Sequence, residues 1–171
     1  STSRSRTHAA AGAGRGRTAE GPAVPTLRTA VPSDYEAIAA VADEWWGRPV
    51  LAALPRLFLD HFHTTSLVAE SPSGMVGFLV GFGSPSQPWR AYVHFVAVAP
   101  QARRTGLARR LYDTFIDRMR AEGRTTITAI TSPGNSASIA FHQALGFTVS
   151  GPVTGYDGPG TQRILFERRL F

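Results

Sequence analysis

The chain has 171 residues, 43% hydrophobic and 18% charged, without cysteine; this excludes a largely disordered chain, a disulfide scaffold, a thiolate nucleophile and a cysteine-based zinc site. The net charge of +6 reflects 18 arginines against 12 acids, but four arginines and one acid fall within positions 1–25. The remainder carries 14 arginines against 11 acids, a small excess that predicts no nucleic-acid partner.

The N-terminal segment, positions 1–25, consists mainly of Ala, Gly, Ser, Thr and Arg and contains almost nothing to bury. Such a segment cannot offset the entropy of ordering, so we predict a flexible tail over 1–25 and a single domain over 26–171. No apolar run approaches the roughly 20 residues of a membrane span. We therefore expect no membrane association and a cytoplasmic protein.

Hydrophobic periodicity places the elements of the first half of the domain. In chain order it predicts a strand over 26–31, helices over 33–46 and 54–63, a hairpin of strands 65–70 and 75–82, and a fourth strand over 91–99. Ser33 and Glu36 have capping-box spacing, which predicts the start of the first helix. Tyr35, Ile38 and Ala42 form its apolar face.

In the second half, the pattern predicts a helix from Leu107 to a stop at Gly123, a strand over 125–131, a helix over 136–145, and strands over 147–151 and 163–170. The fourth and fifth strands are joined through a helix, so they should form a parallel pair. The expected fold is a mixed α/β (α+β) domain whose sheet of about seven strands is otherwise mostly antiparallel.

The stretch "VAVAPQARRTGLARRLY" leads from the fourth strand into a helix. The first amides of a helix lack internal partners and carry the positive end of its dipole. Gly106 and Ala108 would let an anion approach this backbone, and arginines flank it at Arg103, Arg104, Arg109 and Arg110. Taken alone, a plain helix start with solvated arginines explains the residues equally well, because neither GxGxxG nor GxxxxGK[ST] is present.

Two motifs carry a resemblance to a known family. The pattern [QR]-x-x-G-x-[GA] is matched by Arg103, Gly106 and Ala108, and further along the chain "NSASIAFHQALGF" runs from Asn135 to Phe147. This pair, at this separation, resembles the acyl-CoA-binding motifs of the GNAT acetyltransferase superfamily, and the order of elements from Thr26 onward is similar too. The resemblance implies a GNAT-like fold with helices on both faces and a splayed fourth and fifth strand.

The resemblance also implies a cosubstrate, acetyl-CoA, and no metal. The backbone of Val96, Ala97 and Val98 would pair with the pantetheine arm, and the Val96 amide would polarise the thioester carbonyl. Asn135 would begin the second helix and touch the pantetheine. The pyrophosphate would be held by the amides of Arg104, Thr105, Gly106, Leu107, Ala108 and Arg109.

The proton-transfer groups depart from the family pattern. His142 stands where the family usually has a tyrosine, so it could protonate the departing thiolate, hydrogen-bond the sulfur, or simply pack. Tyr92 stands where histone-type members place a glutamate. Strand alternation would put His94 on one face with Tyr92 and Val96, where it could relay a proton through water. Alternatively, the acceptor amine binds already neutral.

The acceptor site should involve the first two helices and the last strand loop. Candidate residues are Glu44 for an ammonium group, Trp45 and Trp46 for a pocket floor, and Tyr156 and Asp157. We expect transfer to a primary amine of a small molecule such as an antibiotic, amino acid or polyamine. Alternatives are a peptide or protein amine, or a non-catalytic acyl-CoA-binding module. We expect a monomer or homodimer, and no metal, since His61 and His63 lack a third ligand.

Overall fold

The computed structural model describes residues 23–171, so nearly all of the predicted tail lies outside the described residues. The strands are β1 Thr26–Thr29, β2 Leu67–Ser71, β3 Gly74–Gly83, β4 Arg90–Val98, β5 Thr126–Thr131, β6 Thr148–Thr154 and β7 Gln162–Arg169. The helices are α1 Tyr35–Trp46, α2 Leu57–Phe62, α3 Leu107–Ala121 and α4 Ser136–Ala144. All eleven elements predicted from the sequence are present in the predicted order.

The seven strands form one sheet in the order β1-β2-β3-β4-β5-β7-β6. Every neighbouring pair is antiparallel except β4 and β5, which run parallel. That parallel pair covers only three residues on each strand, 90–92 against 126–128. Beyond Tyr92 the two strands separate, and the sheet opens into a gap along the rest of β4. The mixed sheet and its splayed central pair are therefore confirmed.

The helices pack on the sheet in two layers, because each has one apolar stripe. On one side α3 buries Leu107, Leu111, Phe115 and Met119, as its spacing predicts, in a core that also contains residues of β5 and β7. On the other side α1 and α2 pack around Phe78 of β3 in a second core. Helices therefore pack on both faces of the sheet that contains the gap between β4 and β5.

A β-bulge in β4 interrupts the alternation of its side chains. Val80 of β3 pairs with Phe95 and the next residue pairs with Val93, which leaves His94 as the extra residue. Phe95 consequently packs in the α1–α2 core, whereas Val96 packs in the α3 core. The His94 ring stacks on Phe58 of α2. The prediction that His94 and Val96 share one face is wrong, because strict alternation ends at the bulge.

Two helix starts also differ from the predictions. α1 begins at Tyr35 and not at Ser33, because a 3₁₀ turn over Pro32–Asp34 comes first. The Asp34 carboxylate accepts a hydrogen bond from the Val31 N–H and binds Arg28 at 2.8 Å. The predicted capping box at Ser33 and Glu36 therefore does not begin the helix. α2 is limited to Leu57–Phe62 because short 3₁₀ turns occupy Leu51–Ala53 and His63–Thr65.

Candidate functional site

Two cavities lie in the opening between β4 and β5. The larger, about 320 Å³, faces the N-termini of α3 and α4, and the smaller, about 160 Å³, lies among β4, β5 and β7. Four residues line both cavities: Trp46, Val96, Ser138 and His142. The opening therefore has two compartments that meet beside the middle of β4, close to the bulge.

The larger cavity ends at the first turn of α3. Gly106 precedes this helix with a φ of +81°, and no side chain caps the helix N-terminus. Arg104 also has a positive φ of 62°, so the chain turns sharply just before the helix. A Cβ at position 106 would meet no atom within 4 Å, so the glycine is needed for its backbone angle rather than for space. The first amides of α3 are therefore without a side-chain cap, and Arg103 and Ala108 on either side of the turn line the cavity.

The side chains around this turn have separate roles. The Arg103 guanidinium donates to the Trp45 carbonyl oxygen at 2.5 Å, joining the turn to the end of α1. Arg110 donates to the Pro25 carbonyl oxygen, so it ties down the start of the domain instead. Arg104 and Arg109 are exposed beside the turn, and Leu107 is buried in the core. A ligand at this turn could therefore contact the backbone of Leu107 but not its side chain.

Asn135 is the cap of α4 and lines the larger cavity. Its side-chain oxygen accepts the Ser138 N–H at 3.2 Å, and its amide nitrogen donates to the Thr131 hydroxyl at 3.2 Å. Ala108 of α3 and the strand residues Val96, Ala97 and Val98 line the same cavity. The two sequence motifs thus lie on one compartment, as their resemblance implied.

His142 is buried between the two cavities. Its Nδ1 lies 2.7 Å from the Ser138 carbonyl oxygen, which can only accept, so Nδ1 carries the hydrogen. Nε2 then accepts the hydroxyl hydrogen of Tyr112 at 2.7 Å. The ring stacks on Phe166 at 4.0 Å between centroids. Burial lowers the pKa of His142, so the imidazole is neutral at pH 7.

Tyr112 of α3 is a site residue that the sequence did not point out. It lines the smaller cavity, it is 1% exposed, and burial raises the pKa of its hydroxyl. The sequence places a tyrosine directly after the apolar Leu111, and a buried phenol needs a hydrogen-bond partner for its hydroxyl. That partner belongs to a different helix, α4, so no local pattern could name it.

Tyr92 and His94 form a second pair of the same kind on the smaller cavity. His94 Nε2 lies 2.6 Å from the Ala53 carbonyl oxygen and must donate to it, so Nδ1 accepts from the Tyr92 hydroxyl at 3.2 Å. Burial lowers the pKa of His94 and raises that of Tyr92 to about 12. Both histidines therefore present their basic nitrogen to a tyrosine hydroxyl.

Comparison with known proteins identifies the family. The model of the acetyltransferase (GNAT) family matches residues 33–147, which include both motifs. The chain belongs to the GNAT acetyltransferase family. Its fold, its splayed sheet and its two motif turns agree with that membership.

Three proteins similar to this chain are informative. The chain is 36% identical over 89 residues to the L-2,4-diaminobutyric acid acetyltransferase of Nocardia farcinica, covering 52% of the chain and 46% of that protein. It is 38% identical over 88 residues to the L-methionine sulfoximine/L-methionine sulfone acetyltransferase of Pseudomonas paraeruginosa, covering 50% and 51%. The match thus spans about half the length of these relatives.

The third is a solved structure, the diaminobutyrate acetyltransferase of Paenibacillus lautus in complex with L-2,4-diaminobutyric acid and coenzyme A. It superposes with a TM-score of 0.68 at 22% identity, covering 88% of this chain and 98% of its own length. At that identity the likeness establishes the shared fold.

The residues predicted for the acceptor site fall in different places. Trp46 lines both cavities and packs on Phe95, whereas Trp45 lines only the larger one. Glu44 is exposed and lines neither. Tyr156 and Asp157 also lie outside both linings, and Asp157 binds a β7 arginine instead.

Two arginines of the smaller cavity were not identified from the sequence: Arg48, just after α1, and Arg163 of β7. They lie near opposite ends of the domain sequence, so only the fold brings them to one compartment. Within residues 23–171, no three His, Asp or Glu side chains cluster as a metal site would require, and no helix is long and apolar enough to cross a membrane.

Proposed function

We propose that residues 26–171 form a single domain that transfers an acetyl group from acetyl-CoA directly to a primary amine of a small molecule. The observation that carries this proposal is the pair of cavities meeting at Val96 and His142 in the splayed sheet. A thioester entering from one compartment and an amine from the other would meet there. Relatives named for diaminobutyrate and methionine sulfoximine support a small amino acid as the acceptor.

Acetyl-CoA suits the larger cavity. The amides from Arg104 to Arg109 would hold the pyrophosphate, because uncapped helix N–H groups bind anions. Val96 to Val98 have no strand neighbour on the β5 side among residues 23–171, so the pantetheine amides could pair with that edge. The Val96 amide would then polarise the thioester carbonyl, and Asn135 would contact the pantetheine arm.

Proton transfer is proposed to run through Tyr112 and His142. The attacking nitrogen gives a proton to the Tyr112 oxygen while the Tyr112 hydroxyl gives its own to Nε2 of His142. When the C–S bond breaks, the same hydroxyl passes a proton to the thiolate and recovers one from His142. The amine loses one proton and the sulfur gains one. A lowered imidazole pKa favours this return step.

Tyr92 and His94 are the second candidate for the amine proton. Their hydroxyl–imidazole arrangement is the same, and Tyr92 lies on the acceptor compartment. In both pairs the histidine acts through a tyrosine oxygen and not directly. This arrangement would replace the carboxylate base, since neither Asp nor Glu lines the smaller cavity within the described part of the chain.

The first test is binding and turnover of acetyl-CoA. Gly106→Ala and Gly123→Ala form a matched pair: the two glycines have φ of +81° and +82°, and an added Cβ meets nothing within 4 Å at either. Both variants should lose the same stability, about 1 kcal/mol, from the strained backbone. Only Gly106→Ala should weaken acetyl-CoA binding in calorimetry, because only position 106 lies at the proposed phosphate turn.

The outcomes separate the candidate functions. Release of free CoA with a small primary amine supports the transferase. Binding of acetyl-CoA without turnover by any small amine or peptide amine would instead make the protein an acyl-CoA-binding module. Absence of binding at millimolar acetyl-CoA would overturn the proposal.

A further inference from the structure

We infer that the acceptor carries an anionic group, a carboxylate in the simplest case, which Arg163 and Arg48 bind in the smaller cavity. The inference rests on the proposed function and narrows its substrate class. The charged side chains lining this cavity in residues 23–171 are these two arginines, without a carboxylate among them. A second positive charge on the acceptor would find no counter-charge there, whereas a negative charge would find two guanidinium groups.

Arg163 is held in place before any ligand binds. Its Nε donates to the Asp157 carboxylate at 2.5 Å, and its Nη1 contacts the Ser132 hydroxyl at 3.4 Å. The other terminal nitrogen, Nη2, has no hydrogen-bond partner within residues 23–171. Asp157 lies outside the cavity lining, so it fixes the guanidinium and balances part of its charge from behind. The guanidinium can therefore still donate to an anion from within the cavity.

Arg48 supplies the unbalanced charge. It follows Gly47, which ends α1 in a left-handed conformation with a φ of 80°, and it lines the cavity from the α1 side. Arg48 makes no ion pair or side-chain hydrogen bond with any residue of the described range. The two arginines thus approach the compartment from different elements, and Thr131 and Ser132 line the same compartment.

The same charges assist the chemistry. An alkylammonium group must lose a proton before it attacks, and nearby positive charge lowers its pKa. The arginines would lower the pKa of an ammonium group in this cavity while binding the carboxylate of the same molecule. This effect compensates in part for the absence of Asp and Glu from the lining of this cavity within the described residues. Polyamines and other acceptors with several positive charges and no anion should be poor substrates.

The test uses matched acceptors that differ in the carboxylate. One pair is L-2,4-diaminobutyrate and 1,3-diaminopropane, which is the same molecule without its carboxylate; the other is L-methionine sulfone and its carboxamide. We expect the carboxylate-bearing member of a pair to have a kcat/KM higher by roughly 10- to 100-fold, the range for hydrogen bonds to charged groups. The rate is followed by release of free CoA at fixed pH.

Variants then assign the effect to the arginines. Arg163→Gln and Arg48→Gln should each raise the KM of the carboxylate acceptor by about tenfold or more and reduce the discrimination within a pair. The KM of acetyl-CoA should stay unchanged, which shows that the fold and the larger cavity are intact. Arg169→Gln is the matched control, because Arg169 is an exposed arginine of the same strand that lines neither cavity.

Equal or better turnover of the acceptor without the carboxylate, in both pairs, would overturn the inference and leave the proposed transferase function intact. Unchanged discrimination in both arginine variants would also overturn it. If acetyl-CoA binds but no amine of either pair is acetylated, the inference fails together with the small-amine function. Using two separate arginines protects the test against one variant that does not fold.

Discussion

Replacing Tyr112 by Phe removes a single hydroxyl from a fully buried ring. The ring keeps its contacts with Phe141 and Phe147, both at 5.8 Å between centroids. What is lost is the 2.7 Å hydrogen bond to Nε2 of His142, and the imidazole, itself 5% exposed, is left with an unpaired acceptor. A buried acceptor without a partner costs about 1–3 kcal/mol of unfolding free energy.

The effect on the reaction should be much larger than this loss of stability. If Tyr112 carries the proton between amine, His142 and sulfur, Tyr112→Phe should lower kcat by about 10²- to 10⁴-fold, the usual contribution of a positioned acid or base. The KM for acetyl-CoA should change little, because Tyr112 does not line the larger cavity. The assay is CoA release under saturating acetyl-CoA, with urea denaturation of the same samples.

Tyr35→Phe is the control for this experiment. The Tyr35 hydroxyl also makes one hydrogen bond, to the Leu54 carbonyl oxygen at 3.1 Å, but Tyr35 lines neither cavity. This variant should lose a comparable or smaller amount of stability and retain its kcat. A Tyr112→Phe enzyme with kcat within about threefold of the Tyr35→Phe control, at the same folded fraction, would refute the relay, since general acid–base groups contribute far more than that.

Three further predictions concern pH, packing and charge. Burial lowers the pKa of His94 and His142 below 6.5, so at acidic pH the unfolded chain binds protons that the folded chain does not. The free energy of unfolding should therefore fall as the pH drops below 6.5. A urea denaturation midpoint that stays constant from pH 7 to 5 would contradict this prediction. Gly81→Ala should lower the free energy of unfolding by about 1–3 kcal/mol, because the added Cβ would lie 2.9 Å from the Phe115 ring and from a β4 carbonyl oxygen. Gly77→Ala should cost less stability in the same thermal unfolding assay. Glu44→Gln should leave the KM of the acceptor unchanged, because Glu44 lines neither cavity. A tenfold rise in this KM would contradict the prediction and indicate that Glu44 binds the ammonium group.

The elements that the sequence predicts well are those whose signal is local. The apolar stripe of α3 and the stop at Gly123 each depend on residues within one or two turns of helix, and each is confirmed. The capping box at Ser33 has a local signal too, but Pro32 and the carboxylate of Asp34 form a different turn. Local patterns identify an element more reliably than they identify its first residue.

The parts of the site that escaped prediction depend on contacts distant in the chain. The bulge at His94 arises from the register of β4 against β3, which a single strand does not reveal. Tyr112 becomes a candidate only when α4 brings His142 against it, and Arg163 only when β7 lies beside β5. Periodicity describes which side of an element is apolar, but it does not describe which polar groups the fold brings together.

The short contact between β4 and β5 has a consequence for how the protein would respond to the proposed cosubstrate. Strand pairing joins the two halves of the sheet over only three residues of each strand. A bound acyl-CoA that pairs with the open edge would bridge these halves like an additional strand. Saturation at 100 times the dissociation constant adds about 2.7 kcal/mol of stability. The stability of the folded chain would then rise and fall with the concentration of acyl-CoA.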